Sequence, residues 1–295
     1  MTLPTWRPIR LTGMQRTVRA AAAGLLAALL GACGAPAPDH ASSFAPSDSA
    51  TRAACASPAA RGALAPSGGL RVGVYRGSPT SYIEASANAP ARGVGWMLGR
   101  ALAQQLDVRF EPVVFANNAA TLAAARQGAV DLVFTNATAE RAQVIRFSPS
   151  LMDVEKSVLV PAGSPIGSIE ALGGRTARIG VSSGSSTAEE FAPLYPSAVL
   201  VAVPTLLQAG TLLGQGSLDG FASNSAILFE LADQLPGARV LPGHWGLEHF
   251  ALGIPKGREV GAACVDAFSA QAAASGLLGT AIAQSRLRGT LVSTH

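Results

Sequence analysis

The protein has 295 residues and a formal net charge of +4. Four of its 22 basic residues, Arg7, Arg10, Arg16 and Arg19, precede Cys33, and no acidic residue does, which leaves 18 basic against 18 acidic side chains in the remainder. A remainder without excess positive charge presents no basic face for nucleic acid, so the composition argues against a nucleic-acid partner.

The first 32 residues have the features of an export signal. The four arginines precede an apolar run at residues 20–30, which is too short to span a bilayer. Residues 30–33, Leu-Gly-Ala-Cys, then resemble the lipobox of bacterial lipoproteins, in which the cysteine is lipidated. We therefore expect a signal peptide at 1–32 and a lipid on Cys33 that holds the protein on the periplasmic side of a bacterial membrane. The alternatives are an ordinary signal peptide and a short apolar helix with an incidental cysteine.

Residues 33–68 are rich in Ala, Pro, Ser and Gly, which predicts a flexible tether. Cys55 lies in this stretch, and Cys264 lies in an apolar helical pattern. An exported protein permits a disulfide between them, but we expect a solvated Cys55 and a buried, unpaired Cys264. The sequence has no CxxC motif or Cys/His cluster, so we predict neither a metal nor another cofactor.

From residue 69 onward, short β-rich runs alternate with helical patterns, which predicts an α/β fold with parallel sheets. The predicted strands are 70–75, 109–115, 131–134, 157–161, 178–181, 199–203, 218–222, 240–241 and 250–254. The predicted helices are 95–106, 121–127, 187 onward, 206–213, 226–234, 260–275 and 280–285. No internal repeat is evident in the sequence.

A series of short motifs then points to a family. They are Leu-Arg-Val-Gly-Val at 70–74, Gly-Trp-Met-Leu-Gly-Arg-Ala-Leu at 95–102, Gly-Ala-Val-Asp-Leu at 128–132, Thr-Ala-Glu-Arg-Ala at 138–142, Phe-Ser-Pro at 147–149, Gly-Val-Ser-Ser-Gly-Ser-Ser at 180–186, Gly-Ser-Leu-Asp at 216–219 and Ala-Leu-Gly-Ile-Pro-Lys-Gly at 251–257. In this order the chain resembles family 3 of the bacterial extracellular solute-binding proteins, which includes many amino-acid receptors of ABC transporters.

The resemblance implies a type II periplasmic-binding-protein fold over residues 69–295, with two lobes joined by two crossing strands and a cleft between them. The first lobe is expected at 69–152 and 249–295, and the second at 153–248. In open α/β sheets, ligands bind at the carboxyl ends of the strands, which places the site in the cleft.

Arg141 is the first candidate for ligand binding. Its guanidinium can hold a carboxylate with two parallel hydrogen bonds, and the resemblance gives this role to the arginine of Thr-Ala-Glu-Arg. Thr135 and Asn136 follow a predicted strand and are further candidates, although Asn136 could simply cap a helix.

Further candidates follow two other predicted strands. Ser185 and Ser186 lie in a strand–loop–helix turn whose backbone N–H groups favour an anion; helix capping is the alternative. Tyr75, Ser78 and Tyr82 follow the first strand, where one of the tyrosines could stack on a ligand; core packing is the alternative for Tyr75. Near the second crossing strand, Glu248 could face the cleft and accept a hydrogen bond from a ligand, or take part in hydrogen bonding at the hinge.

Two candidates depart from the family pattern. Asn224 stands where the amino-acid receptors usually carry an aspartate for the ligand ammonium, and Asn118 stands near the usual place of a stacking aromatic. An amide has no full charge to offer an ammonium. We therefore hypothesise an anionic ligand that keeps a carboxylate but lacks a simple ammonium.

The predicted function is capture of a small carboxylate-bearing or amino-acid-like solute by lobe closure and delivery to an ABC permease, by a monomeric protein that is not an enzyme. One alternative is a ligand-sensing receptor component. Another is a dehydratase on the same fold, with Glu248 as its general acid. A third is a hydrolase, because residues 180–184 match G-x-S-x-G, with Asp219 or Asp233 and His244 or His249 as partners of Ser182.

Overall fold

Eleven β-strands and nine α-helices make up residues 48–292, the part of the chain that the computed structural model describes. The strands are β1 (Gly69–Tyr75), β2 (Arg109–Phe115), β3 (Leu132–Asn136), β4 (Ile145–Phe147), β5 (Met152–Val160), β6 (Arg178–Ser182), β7 (Val199–Val203), β8 (Gly220–Asn224), β9 (Arg239–Val240), β10 (Leu247–Pro255) and β11 (Thr290–Val292). The predicted signal peptide, the lipidation at Cys33 and the start of the predicted tether lie outside the described residues.

The helices cover both faces of the sheets. They are α1 (Asp48–Ala56), α2 (Pro58–Leu64), α3 (Val94–Leu106), α4 (Asn118–Arg126), α5 (Thr187–Phe191), α6 (Leu206–Gly214), α7 (Ser225–Ala232), α8 (Ala262–Ala274) and α9 (Leu277–Gln284). None of these helices is both long and apolar enough to cross a membrane.

The strands form two sheets of similar design. In the first lobe the order is β2–β1–β3–β10, with β1 parallel to β2 and β3 and with β10 antiparallel to β3. In the second lobe the order is β7–β6–β8–β5, with β6 parallel to β7 and β8 and with β5 antiparallel to β8. The predicted two-lobe α/β fold is confirmed.

Helix α3 shows how sequence periodicity builds a lobe. Its buried residues Val94, Leu98, Leu102 and Leu106 recur every four positions and form one face against the sheet. Gly99 lies on the same side, where a Cβ atom would come within 2.6 Å of a methyl group of Val72. A glycine at 99 is therefore required for the helix to pack this closely on β1.

The chain crosses between the lobes on two paired strands. Residues Leu247 to Phe250 of β10 pair antiparallel with Met152 to Glu155 of β5, and β11 pairs with the same part of β5. The predicted lobe boundaries, after residues 152 and 248, fall inside this paired segment, which we call the hinge pair.

The prediction of a flexible tether is wrong for residues 48–64, which form α1 and α2 and pack on the first lobe. Thr51, Cys55 and Leu64 are fully buried there. The segment is rich in alanine, which has the highest helix propensity and a small side chain that allows close helix packing. Its low content of large apolar residues concealed this role.

The prediction of a solvated Cys55 and of unpaired cysteines is also wrong, because Cys55 of α1 and Cys264 of α8 form a disulfide, whereas the predicted burial of Cys264 is confirmed. Both residues are fully buried, and the bond joins positions 209 residues apart in sequence. The bond therefore fixes the amino-terminal helices to the first lobe.

Each lobe contains its own arginine–aspartate contact, and the two contacts are alike although the sequence shows no internal repeat. Arg71 at the start of β1 binds Asp131 through Nε (2.9 Å) and Nη2 (2.7 Å), and its Nη2 also donates to the Gly128 carbonyl at 2.8 Å. In the second lobe Arg178 binds Asp219 through Nε (3.1 Å) and Nη2 (2.8 Å), and donates to the Gly216 carbonyl at 2.8 Å. In the first lobe this contact holds the loop before β3 to β1. In the second lobe it holds the loop before β8 to β6.

We expect loss of the disulfide in Cys55→Ser to lower the free energy of unfolding by about 2–4 kcal/mol, because the cross-link restricts the unfolded chain. Urea denaturation with and without reductant measures the change. The Cys55→Ser/Cys264→Ser double variant is the control, since its stability should not respond to reductant. Equal stability of the natural protein under oxidising and reducing conditions would contradict the assigned pairing.

The two arginine–aspartate contacts predict unequal effects of the same substitution. The Asp131 side chain is fully buried and also pairs with Arg258, whereas the Asp219 side chain is 40% exposed. Asp131→Asn should lower the free energy of unfolding by roughly 3 kcal/mol, because it removes a buried charge that pairs with two partly buried arginines. Asp219→Asn should cost clearly less, since water screens that pair. Equal losses in urea denaturation would show that burial does not set the strength of the contact.

Candidate functional site

The carboxyl ends of the central strands of both lobes meet at one cleft. Tyr75 ends β1, Asn136 ends β3, Ser182 ends β6 and Asn224 ends β8, and all four line the cleft. The cleft encloses a cavity of about 40 Å³, so the lobes leave little free space between them.

Arg141 lines the cleft from the first lobe and is half-buried. Its Nη1 donates to the Asn136 carbonyl at 2.9 Å and to Thr135 Oγ1 at 3.2 Å. These contacts fix one side of the guanidinium, so its remaining N–H groups are held in place for an anion in the cleft.

Thr135 and Asn136 support this arginine and also line the cleft. Asn136 is 5% exposed, and its Oδ1 accepts a hydrogen bond from the His249 backbone N–H at 2.8 Å. The side chain of Asn136 thus ties β3 to β10 and does not cap a helix. Asn118 lies beside Thr135, with 3.4 Å between its side-chain amide and the hydroxyl oxygen.

The loop after β6 lines the cleft from the second lobe through Ser182, Ser185 and Thr187. The Ser185 hydroxyl donates to the Ser182 carbonyl at 2.8 Å, and the Ser185 backbone N–H donates to the same carbonyl at 3.1 Å. Both donors of Ser185 are therefore used within the turn. A ligand oxygen at this loop must replace the hydroxyl contact or bind neighbouring groups.

Asn224 and Glu248 form the buried contact of the cleft. Asn224 Oδ1 accepts a hydrogen bond from the Ile227 backbone N–H at 3.1 Å and caps α7, so its Nδ2 must point away from the helix. Nδ2 donates to Glu248 Oε2 at 2.8 Å. The predicted strand at 218–222 lies at 220–224 instead, which places Asn224 at the end of β8, facing the hinge pair.

Glu248 lies on β10 within the hinge pair, two residues before Phe250, and both line the cleft. Because side chains alternate along a strand, they share a face, while His249 between them pairs with Asp153 at 2.8 Å. Burial raises the pKa of the Glu248 carboxyl, against the opposing effects of its bond from Asn224 and of the charges on Arg141 and Lys156.

The two lobes contact each other across the cleft. The side chain of Asn117, which caps α4, donates from Nδ2 to the Pro204 carbonyl at 3.0 Å. Tyr75 of the first lobe packs with Leu206 and Ile227 of the second, and burial raises the pKa of its hydroxyl. These contacts belong to a closed arrangement, since separating the lobes would break them.

Three predicted site residues do not line this cleft. Ser78 is fully buried and hydrogen-bonds Thr80 at 2.8 Å, while Tyr82 packs against the core of the first lobe. The reason is a tight turn after β1, in which Arg76 and Ser78 both form bridges with Tyr82. Ser186 lies in an adjoining groove with Arg126 and Glu189, outside the main cleft.

The hydrolase pattern is not assembled. Asp219 binds Arg178 at the start of β6, whereas Ser182 ends this strand, a separation of roughly 13 Å at about 3.3 Å per residue. Asp233 pairs with Arg288 at 2.6 Å, and His244 lies 3.6 Å from Glu155. Each candidate partner of Ser182 therefore has another contact.

Several residues of the cleft were not predicted as site residues: Asn117, Pro204, Thr205, Leu206, Ser223, Ile227 and Phe250. Asn117 and Thr205 precede helices as side-chain N-caps, a pattern visible in sequence. Glu248 lines the cleft, as one of its two predicted placements has it, but nothing in the sequence places it beside Asn224.

Comparison with known proteins identifies the family. A family model, "Bacterial extracellular solute-binding proteins, family 3", matches residues 70–284. The ABC transporter glutamine-binding protein GlnH of Bacillus subtilis (strain 168) is 26% identical over 121 residues, which are 41% of this chain and 44% of that protein. The match thus spans less than half of this relative.

Solved structures show the same fold. A P235GK mutant of ArgBP from T. maritima matches with a TM-score of 0.68 and 19% identity over 77% of this chain and 99% of that one. A solute receptor for L-cysteine of Neisseria gonorrhoeae matches with a TM-score of 0.67 and 25% identity over 76% and 92%. The ancestral amino-acid-binding protein AncCDT-1, a precursor of cyclohexadienyl dehydratase, matches with a TM-score of 0.66 and 21% identity over 76% and 98%. With the family model covering most of its length, this chain belongs to family 3 of the bacterial extracellular solute-binding proteins.

Proposed function

We propose that this protein captures a small carboxylate-bearing or amino-acid-like solute in the cleft between its lobes and delivers it to an ABC permease. The observation that carries the proposal is Arg141, whose guanidinium is fixed by Thr135 and Asn136 at the floor of the cleft. A fixed guanidinium in a half-buried site is suited to bind a carboxylate with two parallel hydrogen bonds. Glutamine, arginine and cysteine named in the relatives' descriptions are the first solutes to try.

Lobe closure supplies the signal in this proposal. A solute bound by Arg141 on the first lobe gains contacts from Thr187 and Asn224 on the second lobe only when the cleft is closed. This difference in contacts is what shifts the population toward the closed form. The Asn117 contact with the Pro204 carbonyl adds to the closed form alone, because the two residues belong to different lobes.

The family name places the protein outside the cytoplasm, and the rest of its cellular setting belongs to the proposal. We infer that Cys33 carries the lipid anchor, that the protein acts as a monomer and that the closed form docks on a permease. A sensor that docks the closed form on a receptor uses the same closure, so the choice between these partners requires an interaction measurement.

Dehydration of the bound solute is a second candidate function, which Glu248 favours. Burial raises the pKa of its carboxyl, and a protonated carboxyl group can act as a general acid. Mass spectrometry of each bound solute after incubation distinguishes the two functions. Recovery of the unchanged solute supports capture alone, whereas loss of water that stops in Glu248→Gln supports the dehydratase.

The proposed role of Arg141 predicts the outcome of a thermal-shift screen with amino acids, monocarboxylates and dicarboxylates. A solute that binds the folded protein must raise its melting temperature in a concentration-dependent way. Arg141→Ala should weaken binding of that solute at least about tenfold, because it removes charge-assisted hydrogen bonds.

Arg109→Ala is the matched control, since the Arg109 side chain is 74% exposed on the first lobe and lies outside the cleft. This variant should bind as the natural protein does. A solute whose affinity is unchanged in Arg141→Ala would remove Arg141 from the site.

A further inference from the structure

The cleft contains one basic and one acidic side chain. Among the described residues that line it, Arg141 and Glu248 are the only members of the Asp, Glu, Lys, Arg and His types. Arg141 reaches the cleft from the first lobe, and Glu248 reaches it from the hinge pair. The remaining lining residues are neutral polar or apolar, so the cleft offers one site for an anion and one for a cation.

The Glu248 carboxyl group is held in place, but no basic side chain of the described residues pairs with it. Its Oε2 accepts the bond from Asn224, while Oε1 has no hydrogen-bond partner among residues 48–292. Glu248 forms no ion pair with a basic side chain in the same range. A carboxylate that is only 9% exposed and lacks a cationic partner is costly unless one is supplied.

The nearby charges of the protein do not supply this partner. Lys156 is 5% exposed and forms a close ion pair with Glu190, which offsets its charge. Arg141 donates to Thr135 and to the Asn136 carbonyl. The groups that shift the pKa of Glu248 besides burial are Asn224, Arg141, Lys156 and Glu190, and Glu248 in turn raises the pKa of the Tyr75 hydroxyl. None of them bonds its second oxygen.

Asn224 cannot take the place of Glu248. Its Oδ1 is occupied by the Ile227 N–H, and its Nδ2, a donor, faces the carboxylate. The Asn224 amide therefore orients Glu248, and it has no oxygen left to accept a hydrogen bond from a cation. The sequence suggested that an asparagine at 224 excludes a ligand ammonium. That hypothesis left out Glu248, which lies on another strand with its Oε2 at 2.8 Å from Asn224 Nδ2.

We propose that Glu248, oriented by Asn224, is the specificity-determining residue that selects solutes carrying an ammonium group beside the carboxylate bound by Arg141. This inference rests on the proposed function and specifies which group of the ligand the same cleft recognises. The recognising charge lies on the hinge pair, so the ligand contacts the segment about which the lobes move. The pKa of Glu248, raised by burial, should fall when an ammonium binds, because a positive charge stabilises the carboxylate.

The test compares the L-amino acids that carry a primary α-amino group with their α-deaminated counterparts. Examples are L-glutamine with 4-carbamoylbutanoate, L-arginine with 5-guanidinopentanoate and L-cysteine with 3-sulfanylpropanoate. Affinities are measured by titration calorimetry for the natural protein, Glu248→Gln and Glu155→Gln. Glu155 is the matched control, because it lies on β5 of the hinge pair, 39% exposed and outside the cleft.

The natural protein should bind at least one amino acid more tightly than its deaminated counterpart. Glu248→Gln should lose roughly 10- to 100-fold in affinity for the amino acid and change little for the deaminated acid, since only the charge-assisted contact to the ammonium is removed. Glu155→Gln should keep the preference. A melting curve of each variant without ligand checks that it is folded, and glutamine can still accept the bond from Asn224.

Two results would overturn the inference and leave the proposed function standing. One is equal or tighter binding of the deaminated acids by the natural protein, with binding lost in Arg141→Ala. The other is an amino-acid preference that Glu248→Gln retains. Failure of the natural protein to bind any member of either series at millimolar concentration would overturn the proposed function, and this inference with it.

Discussion

The hinge pair is the constraint on which the rest of the structure depends. Both passages of the chain between the lobes run through the pairing of Leu247 to Phe250 with Met152 to Glu155. A strand alternates its side chains, so this pairing turns Glu248 and Phe250 toward the cleft and His249 toward Asp153 on the other side. The segment that joins the lobes therefore also brings an acid to the cleft.

The cleft is polar at the strand ends for a reason that both lobes share. Each central parallel strand ends at the cleft, and helices α4, α6 and α7, which follow β2, β7 and β8, begin there with an Asn or Thr cap. A capping side chain uses its oxygen to accept a hydrogen bond from a backbone N–H of the helix. An asparagine cap also has an amide nitrogen, which can donate a second hydrogen bond. Asn117 uses that nitrogen to join the lobes, and Asn224 uses it to orient Glu248.

The stabilising contacts of the lobes lie away from the cleft. The arginine–aspartate contacts sit at the opposite ends of β1 and β6 from the ligand site, and the disulfide joins α1 to α8 within the first lobe. Each lobe can therefore move as a unit while its own core stays intact. This arrangement matches hinge closure, in which a few residues between the lobes change conformation.

The sequence by itself determined the α/β alternation, the family and the residues Arg141, Thr135, Asn136, Asn118, Ser185 and Asn224 that the cleft brings together. These follow from local patterns, since strand and helix periods and the residues after strand ends are readable along the chain. Only the tertiary structure decided three further points: the Cys55–Cys264 bond, the packing of the alanine-rich α1 and α2, and the contact of Asn224 with Glu248. Each joins segments that are distant in sequence or lie on different strands, and their pairing depends on register and packing, which no local pattern specifies.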